Sequence, residues 1–288
     1  MRMHLCFAFL CVASVSFAGQ TASFKIGDME VFVLQDKETS MPNTLFQGAS
    51  QEKINSAVPD GKSPASMTAF VVRTWKKEDG KEEKSVAHTY LIDSGLSTEA
   101  LYGNLKAVGI GPDEIDVILI THMHGDHIGG LLKDGKAAFP KATLCVEKDE
   151  YGYWRQANPA IKKIENAYQK HIELFAFGDL PGVHGALADG AFKAEKAVGH
   201  TPGHTVFENE KIIAIGDLVH SAALQFANPE ICARYDMERP KAVETRKKIF
   251  DHAAETKKMI VGAHLPFPCA GHVVKAGADR YEFVPLKK

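Results

Sequence analysis

Apolar and polar positions along this chain predict strands and helices in alternation. Phe24-Lys25-Ile26 and Met29 to Leu34, separated by Gly27-Asp28, predict a hairpin with a tight turn. Met67 to Thr74 and Val86 to Ile92 predict a second strand pair. The charged run KKEDGKEEKS at 76–85 fits a solvated tip between them. Residues 36–66 carry Pro42, Gly48, Pro59, Gly61 and Pro64, and predict a long loop with one short helix over Gln51 to Ala57. Thr98 to Val108 suits a helix stopped by Gly109 and Gly111. Val117-Ile118-Leu119-Ile120 is a continuous apolar run, as in a strand buried on both faces. Further strands are expected over Ala142 to Val146, Ala191 to Ala197, Lys211 to Ile215 and Met259 to Val261. Helices are expected over Lys148 to Leu174, interrupted near Asn158-Pro159, and over Lys241 to Glu255. The mixture predicts an α/β or α+β chain in one domain over residues 19–288.

Composition narrows the function classes. The chain has 288 residues, 34 Lys+Arg against 36 Asp+Glu, and a net charge of −2. With no basic excess, nucleic acid is not an expected partner. The first 18 residues have the pattern of a cleavable signal peptide: Arg2, an apolar stretch from Leu5 to Val15, and the small-x-small site Ser16-Phe17-Ala18. The expectation is export to the periplasm or beyond, with no stable membrane insertion after cleavage. Cys145, Cys232 and Cys269 are widely spaced and odd in number, so they do not form a disulfide framework.

Candidate chemistry sits at strand ends. VILI leads into His122, His124, Asp126 and His127; the strand before residue 199 leads into His200 and His204; KIIAIG leads into Asp217; MIVGA leads into His264. In an extended segment His122 and His124 point to one side and Met123 to the other. Gly125 lets the chain turn, so that Asp126 and His127 face the same place from the start of the next helix. Imidazole and carboxylate donors at this density suit Zn²⁺, and also Mn²⁺, Fe²⁺ or Co²⁺.

These motifs, with IDSG at 92–95, THMHGDH at 121–127, GHTPGHT at 199–205, GD at 216–217 and AHLPFP at 263–268, resemble the metallo-β-lactamase superfamily. The resemblance implies a four-layer αββα sandwich with a dinuclear metal site at one edge of the sheets. By the same resemblance, His122, His124 and His204 hold one metal, Asp126, His127 and His264 the second, and Asp217 bridges them. Asp93 and His200 would orient ligands from behind. His220 and His272 are read as ordinary packed histidines. The implied activity is hydrolysis by a metal-bridging hydroxide, with Asp126 steering protons.

Within that superfamily the chain is most similar to the branch of N-acyl-homoserine lactonases and methyl parathion hydrolase. That branch implies a lactone, carboxylic ester or phosphotriester as the small-molecule substrate. Cys269 stands where that branch commonly has Gly. The main zinc β-lactamases usually carry Cys at the place of Asp217, and glyoxalase II a longer C-terminal region than the 24 residues after His264. The alternatives are a β-lactam or thioester hydrolase of the same fold, a mono-iron sulfur oxygenase, or a silent metal-binding protein. Substrate selection is expected in residues 36–66 and at Tyr151, Tyr153, Trp154, Phe226 and Phe267. Homodimerisation is the assembly to test.

Overall fold

Along Met29–Pro42 the side chains alternate between two interiors. Val31 and Val33 enter one apolar cluster, Phe32 and Leu34 another. This period of two means that both faces of the strand are covered. The computed structural model describes residues 12–18, 20–75, 85–177 and 191–287. The charged run 76–85 lies outside them except for Ser85, as do residues 1–11 of the expected signal segment.

Two sheets face each other. The first has eight strands in the order Val12–Ala18, Thr21–Ile26, Met29–Pro42, Lys62–Trp75, Val86–Ile92, Val117–Leu119, Thr143–Glu147 and Ile172–Phe175. The last four run parallel to one another. The second has six, in the order Lys193–Lys196, Thr205–Glu208, Ile212–Ala214, Met259–Val261, Ala270–Gly277 and Arg280–Pro285. Between the sheets, Phe24, Val33, Phe70 and Tyr90 meet Phe207, Ile213 and Ile260 in one buried cluster. Outside the first sheet, Leu101 and Leu105 of helix Thr98–Ala107 and Ile161 and Ile164 of helix Pro159–Tyr168 pack on Phe32, Val71 and Ile118. Helix Arg239–Thr256 lies against Ala270–Gly277 of the second sheet. The layers are therefore helix, sheet, sheet, helix.

The structure corrects two expectations. Residues 36–42 and 62–66 are strand, not loop; Met29–Pro42 and Lys62–Trp75 form one long ribbon, with a register shift at Gln35/Lys37. The short helix Gln51–Ala57 does sit between them, capped by Ser50. The helical reading of Lys148 to Leu174 ends early. Asn158 closes helix Lys148–Ala157 and caps Pro159–Tyr168, and Ile172–Phe175 then adds a parallel edge strand beside Thr143–Glu147. Val12–Ala18 pairs antiparallel with Thr21–Ile26. Among the described residues, no helix is long and apolar enough to cross a membrane.

Candidate metal centre

The strand ends converge at one edge of the sandwich. Val117–Leu119 delivers His122, and the buried Met123 side chain anchors the outward turn to His124. Gly125–Ile128 forms a single helical turn carrying Asp126 and His127. Glu150, itself buried, ties two of the motifs together. Its Oε1 accepts from Met123 N at 2.9 Å and its Oε2 from Gly203 N at 2.9 Å. Gly199 has φ +130°, and a Cβ there would meet the Ala242 backbone N at 2.2 Å. Only glycine lets the turn bearing His200 seat on helix Arg239–Thr256.

Two donor groups result. His122 Nε2 and His200 Nε2 lie 2.9 Å and 3.0 Å from His124 Nδ1, and Asp217 Oδ2 is 3.6 Å from the first and 3.3 Å from the second. On the other side His264 Nε2 is 3.4 Å from Asp126 Oδ2 and 3.2 Å from Asp217 Oδ2. His127 Nε2 faces Asp217 Oδ1 at 3.0 Å, yet neither atom makes a hydrogen bond of acceptable geometry. The carboxylate of Asp217 therefore lies between the two groups. A buried ring nitrogen and a carboxylate oxygen this close without a well-formed hydrogen bond are costly unless a proton or a cation lies between them. The nitrogen and carboxylate donors fit two divalent cations of the zinc type.

The remaining ring nitrogens are held from behind. Asp93 Oδ2 is 2.8 Å from His127 Nδ1 and also accepts from Thr121 Oγ1, which lies 3.1 Å from His122 Nδ1. His264 Nδ1 donates to Ser66 O at 2.8 Å, and His200 Nδ1 meets Asp236 Oδ1 at 2.9 Å. Such acceptors fix tautomer and ring orientation.

The charges are strongly coupled. Burial opposes charge on His127, but the Asp217, Asp93 and Asp126 carboxylates outweigh it and raise its pKa well above the usual value. The same competition, won by Asp217 and Asp126, lifts His264 to about 10. Burial and the neighbouring His200 push His124 down to about 4. Burial also opposes ionisation of Asp217, yet the histidines around it, His264 first, hold its pKa well below the carboxylate range.

The geometry reverses the expected roles of His200 and His204. His200 joins His122, His124 and Asp217. His204 turns both nitrogens to the backbone: Nδ1 meets Ala197 O at 3.1 Å and Nε2 accepts from Asp217 N at 3.0 Å. Gly216, at φ +50°, leaves room for that ring; a Cβ would stand 2.6 Å from His204 Nε2. In GHTPGHT the two histidines are equivalent by composition, and only the direction of the Pro202-Gly203 turn separates them.

His220 also differs from its expected role. It is fully buried, its Nε2 is 3.2 Å from Asp217 Oδ2, and its ring stacks on His264. Spacing of three from Asp217 was the available signal. Asp236 and Glu150 gave no sequence signal, because an aspartate after tyrosine and a glutamate early in a helix are commonplace.

The cavity in front of the site holds about 600 Å³. His124, Asp126, Asp217 and His264 form its floor, and Met41, Pro42, Leu45, Met67, Leu96 and Tyr235 its walls. None of the five aromatic residues expected to line it does so. Phe226 is stacked between Phe250 and Phe283 in the core, and Phe267 packs on that core too. Tyr151 joins the cluster outside the first sheet, and Tyr153 points to solvent. Trp154 is nearest: its ring is 5.1 Å from His124, and its Nε1 donates to Glu150. The expected region 36–66 does contribute, through Met41, Pro42 and Leu45.

Residues 85–272 match the metallo-beta-lactamase superfamily domain. The structure of hydrolase AbOPH, described as in the beta lactamase superfamily, superposes with a TM-score of 0.79 at 32% identity, covering 95% of this chain and 99% of that one. AidC, described as a dizinc quorum-quenching lactonase in complex with the product N-hexnoyl-L-homoserine, superposes with a TM-score of 0.76 at 25% identity, covering 92% of this chain and 97% of that one. N-acyl homoserine lactonase AttM of Azorhizobium caulinodans is 28% identical over 114 residues. That match covers 38% of this chain and 41% of AttM.

Proposed function

From the premise that this chain belongs to the metallo-β-lactamase superfamily and has the fold of its metal-dependent hydrolases, we propose that it is an exported dinuclear enzyme that opens a lactone or cleaves a carboxylic ester or phosphotriester. One observation carries the reading: Asp217 lies between two groups of donors on the floor of an apolar cavity. His122, His124 and His200 would hold one cation, and Asp126, His127 and His264 the other, with Asp217 shared. When bound, such cations would polarise the attacked oxygen and lower the pKa of a bound water.

The chain's own residues supply position and proton control. Asp126 retains partial exposure and lines the cavity, while its Oδ2 lies 3.4 Å from His264 Nε2. It is placed to accept the nucleophile's proton and return it to the leaving group. The Met41, Leu45, Met67 and Leu96 walls favour an apolar acyl or aryl group and exclude water from the reacting bond. The similarity to AidC and AttM favours the lactone among the three substrates. A small molecule is thus the proposed partner, and the signal pattern of residues 1–18 supports the proposed export.

The test is a hydrolysis screen of metal-defined protein across N-acyl homoserine lactones, aryl esters, thioesters, β-lactams and phosphotriesters. Turnover of a lactone, ester or phosphotriester, lost on chelation and restored by zinc, is expected. Turnover confined to β-lactams or thioesters, or oxygen consumption with a single iron, would overturn the reading.

A further inference from the structure

The bulkiest fully buried side chain among the described residues is a cation, Arg246, in the middle of helix Arg239–Thr256. A buried guanidinium needs compensation for every lost water contact. Arg246 finds it in four directions. Its Nε donates to Leu218 O at 2.6 Å, one NH2 group donates to Pro229 O at 2.7 Å and Ile231 O at 3.1 Å, and the other pairs with Asp236 Oδ2 at 3.2 Å. Two of these contacts lead directly to the donor cluster. Asp236 uses its other oxygen, Oδ1, to hold His200 Nδ1 at 2.9 Å, and Oδ2 also accepts from Ala233 N at 3.2 Å. Leu218 immediately follows Asp217 in the turn that presents the shared carboxylate.

We propose that Arg246 is a positioning residue for the metal centre, fixing His200 through Asp236 and Asp217 through the Leu218 carbonyl with a single rigid fork. The inference rests on reading the cluster as a metal centre and adds a device that places ligands from two separate loops at a common distance. Lysine cannot reproduce it, because an ammonium lacks the planar five-donor geometry that spans Leu218 O, the Pro229 and Ile231 carbonyls and Asp236.

The test measures zinc affinity by chelator competition, and the visible absorption of the cobalt-substituted protein, on wild type, Arg246→Lys, Asp236→Asn and Phe250→Leu. Phe250 lies on the same helix but packs on Phe226 and Tyr281, away from the network. Arg246→Lys and Asp236→Asn are expected to weaken zinc binding about 10- to 100-fold and to alter the cobalt bands while circular dichroism stays that of the folded protein. Phe250→Leu is expected to lower the melting temperature and leave affinity and bands unchanged. Folded Arg246→Lys with wild-type affinity and bands would overturn the proposal, as would an equal loss in Phe250→Leu. If Arg246→Lys does not fold, Asp236→Asn decides: wild-type affinity in it overturns the relay. No substrate enters these measurements, so a failed hydrolysis screen leaves them readable. A wild-type protein that binds no zinc overturns the metal reading beneath both.

Discussion

Single side chains here are set by what lies behind them. Asp36 is an instance outside the metal cluster, hydrogen-bonded to the cavity-wall residue Leu96. Burial pushes its pKa up to about 6, against hydrogen bonds from Leu96 and Ser97 N–H and from Asn104 that favour the carboxylate. The folded protein thus holds this proton more tightly than the unfolded chain does. Its stabilising contribution is complete below about pH 4 and is lost as pH rises through 6. Allowing for partial exposure, that is about 2 kcal/mol. Urea unfolding between pH 4 and 7 should show the decline in wild type and not in Asp36→Asn; an equal slope in both would exclude Asp36 as its source. The two histidines of GHTPGHT offer a second check. His200→Ala should reduce bound zinc below two equivalents by elemental analysis. His204→Ala should instead cost about 1–3 kcal/mol of stability by leaving the Asp217 N–H and Ala197 carbonyl unpaired. The opposite pattern would restore the assignment read from the motif. Ligand types were legible in the sequence because His and Asp at successive strand ends have few other uses. Which histidine of a pair turns inward depends on one turn, and the sequence leaves that open.

Elements carried their own signatures wherever burial was strongly periodic. The run at 117–120 and the hairpin at 24–34 were readable because nearly all of their apolar side chains had a face to fill. The ribbon 36–42 with 62–66 was not, since its prolines and polar residues look like loop; pairing along Met29–Pro42 and Lys62–Trp75 overrides that local preference. Ile172–Phe175 was hidden for a related reason: four residues following a helix are too few to reset the period. The same strand extension brings Met41 and Met67 over the site, which is why the aromatic residues near the first motif are not the pocket walls. Gly199→Ala tests how closely one element positions another. A Cβ at this positive φ would strike the Ala242 backbone and part the His200 turn from helix Arg239–Thr256. A loss of about 2–4 kcal/mol in denaturant unfolding, with weakened zinc binding, is expected. A folded variant of unchanged stability and affinity would show the contact to be dispensable.

At the scale of the whole molecule, the sandwich contributes a rigid edge and the ribbon contributes an apolar wall. Fold class and metal edge could be read from the sequence because both depend on repeated local patterns. The cavity could not, because it is assembled from segments near residues 41, 67, 96 and 235 that only the complete fold brings together. If those walls seat an acyl chain, each added methylene buried there contributes about 0.8 kcal/mol. Extending an N-acyl homoserine lactone from four to six acyl carbons should then raise kcat/KM about tenfold, whereas a flat series would place the acyl chain outside the cavity. On the proposed function, two cations share Asp217 and hydrolysis depends on both. Stepwise zinc titration of the metal-free protein, with turnover of a lactone or aryl ester followed at each addition, tests it most directly. Saturation at two equivalents is expected, with most activity appearing as the second is added. Full turnover at one equivalent, or turnover without metal, would contradict it.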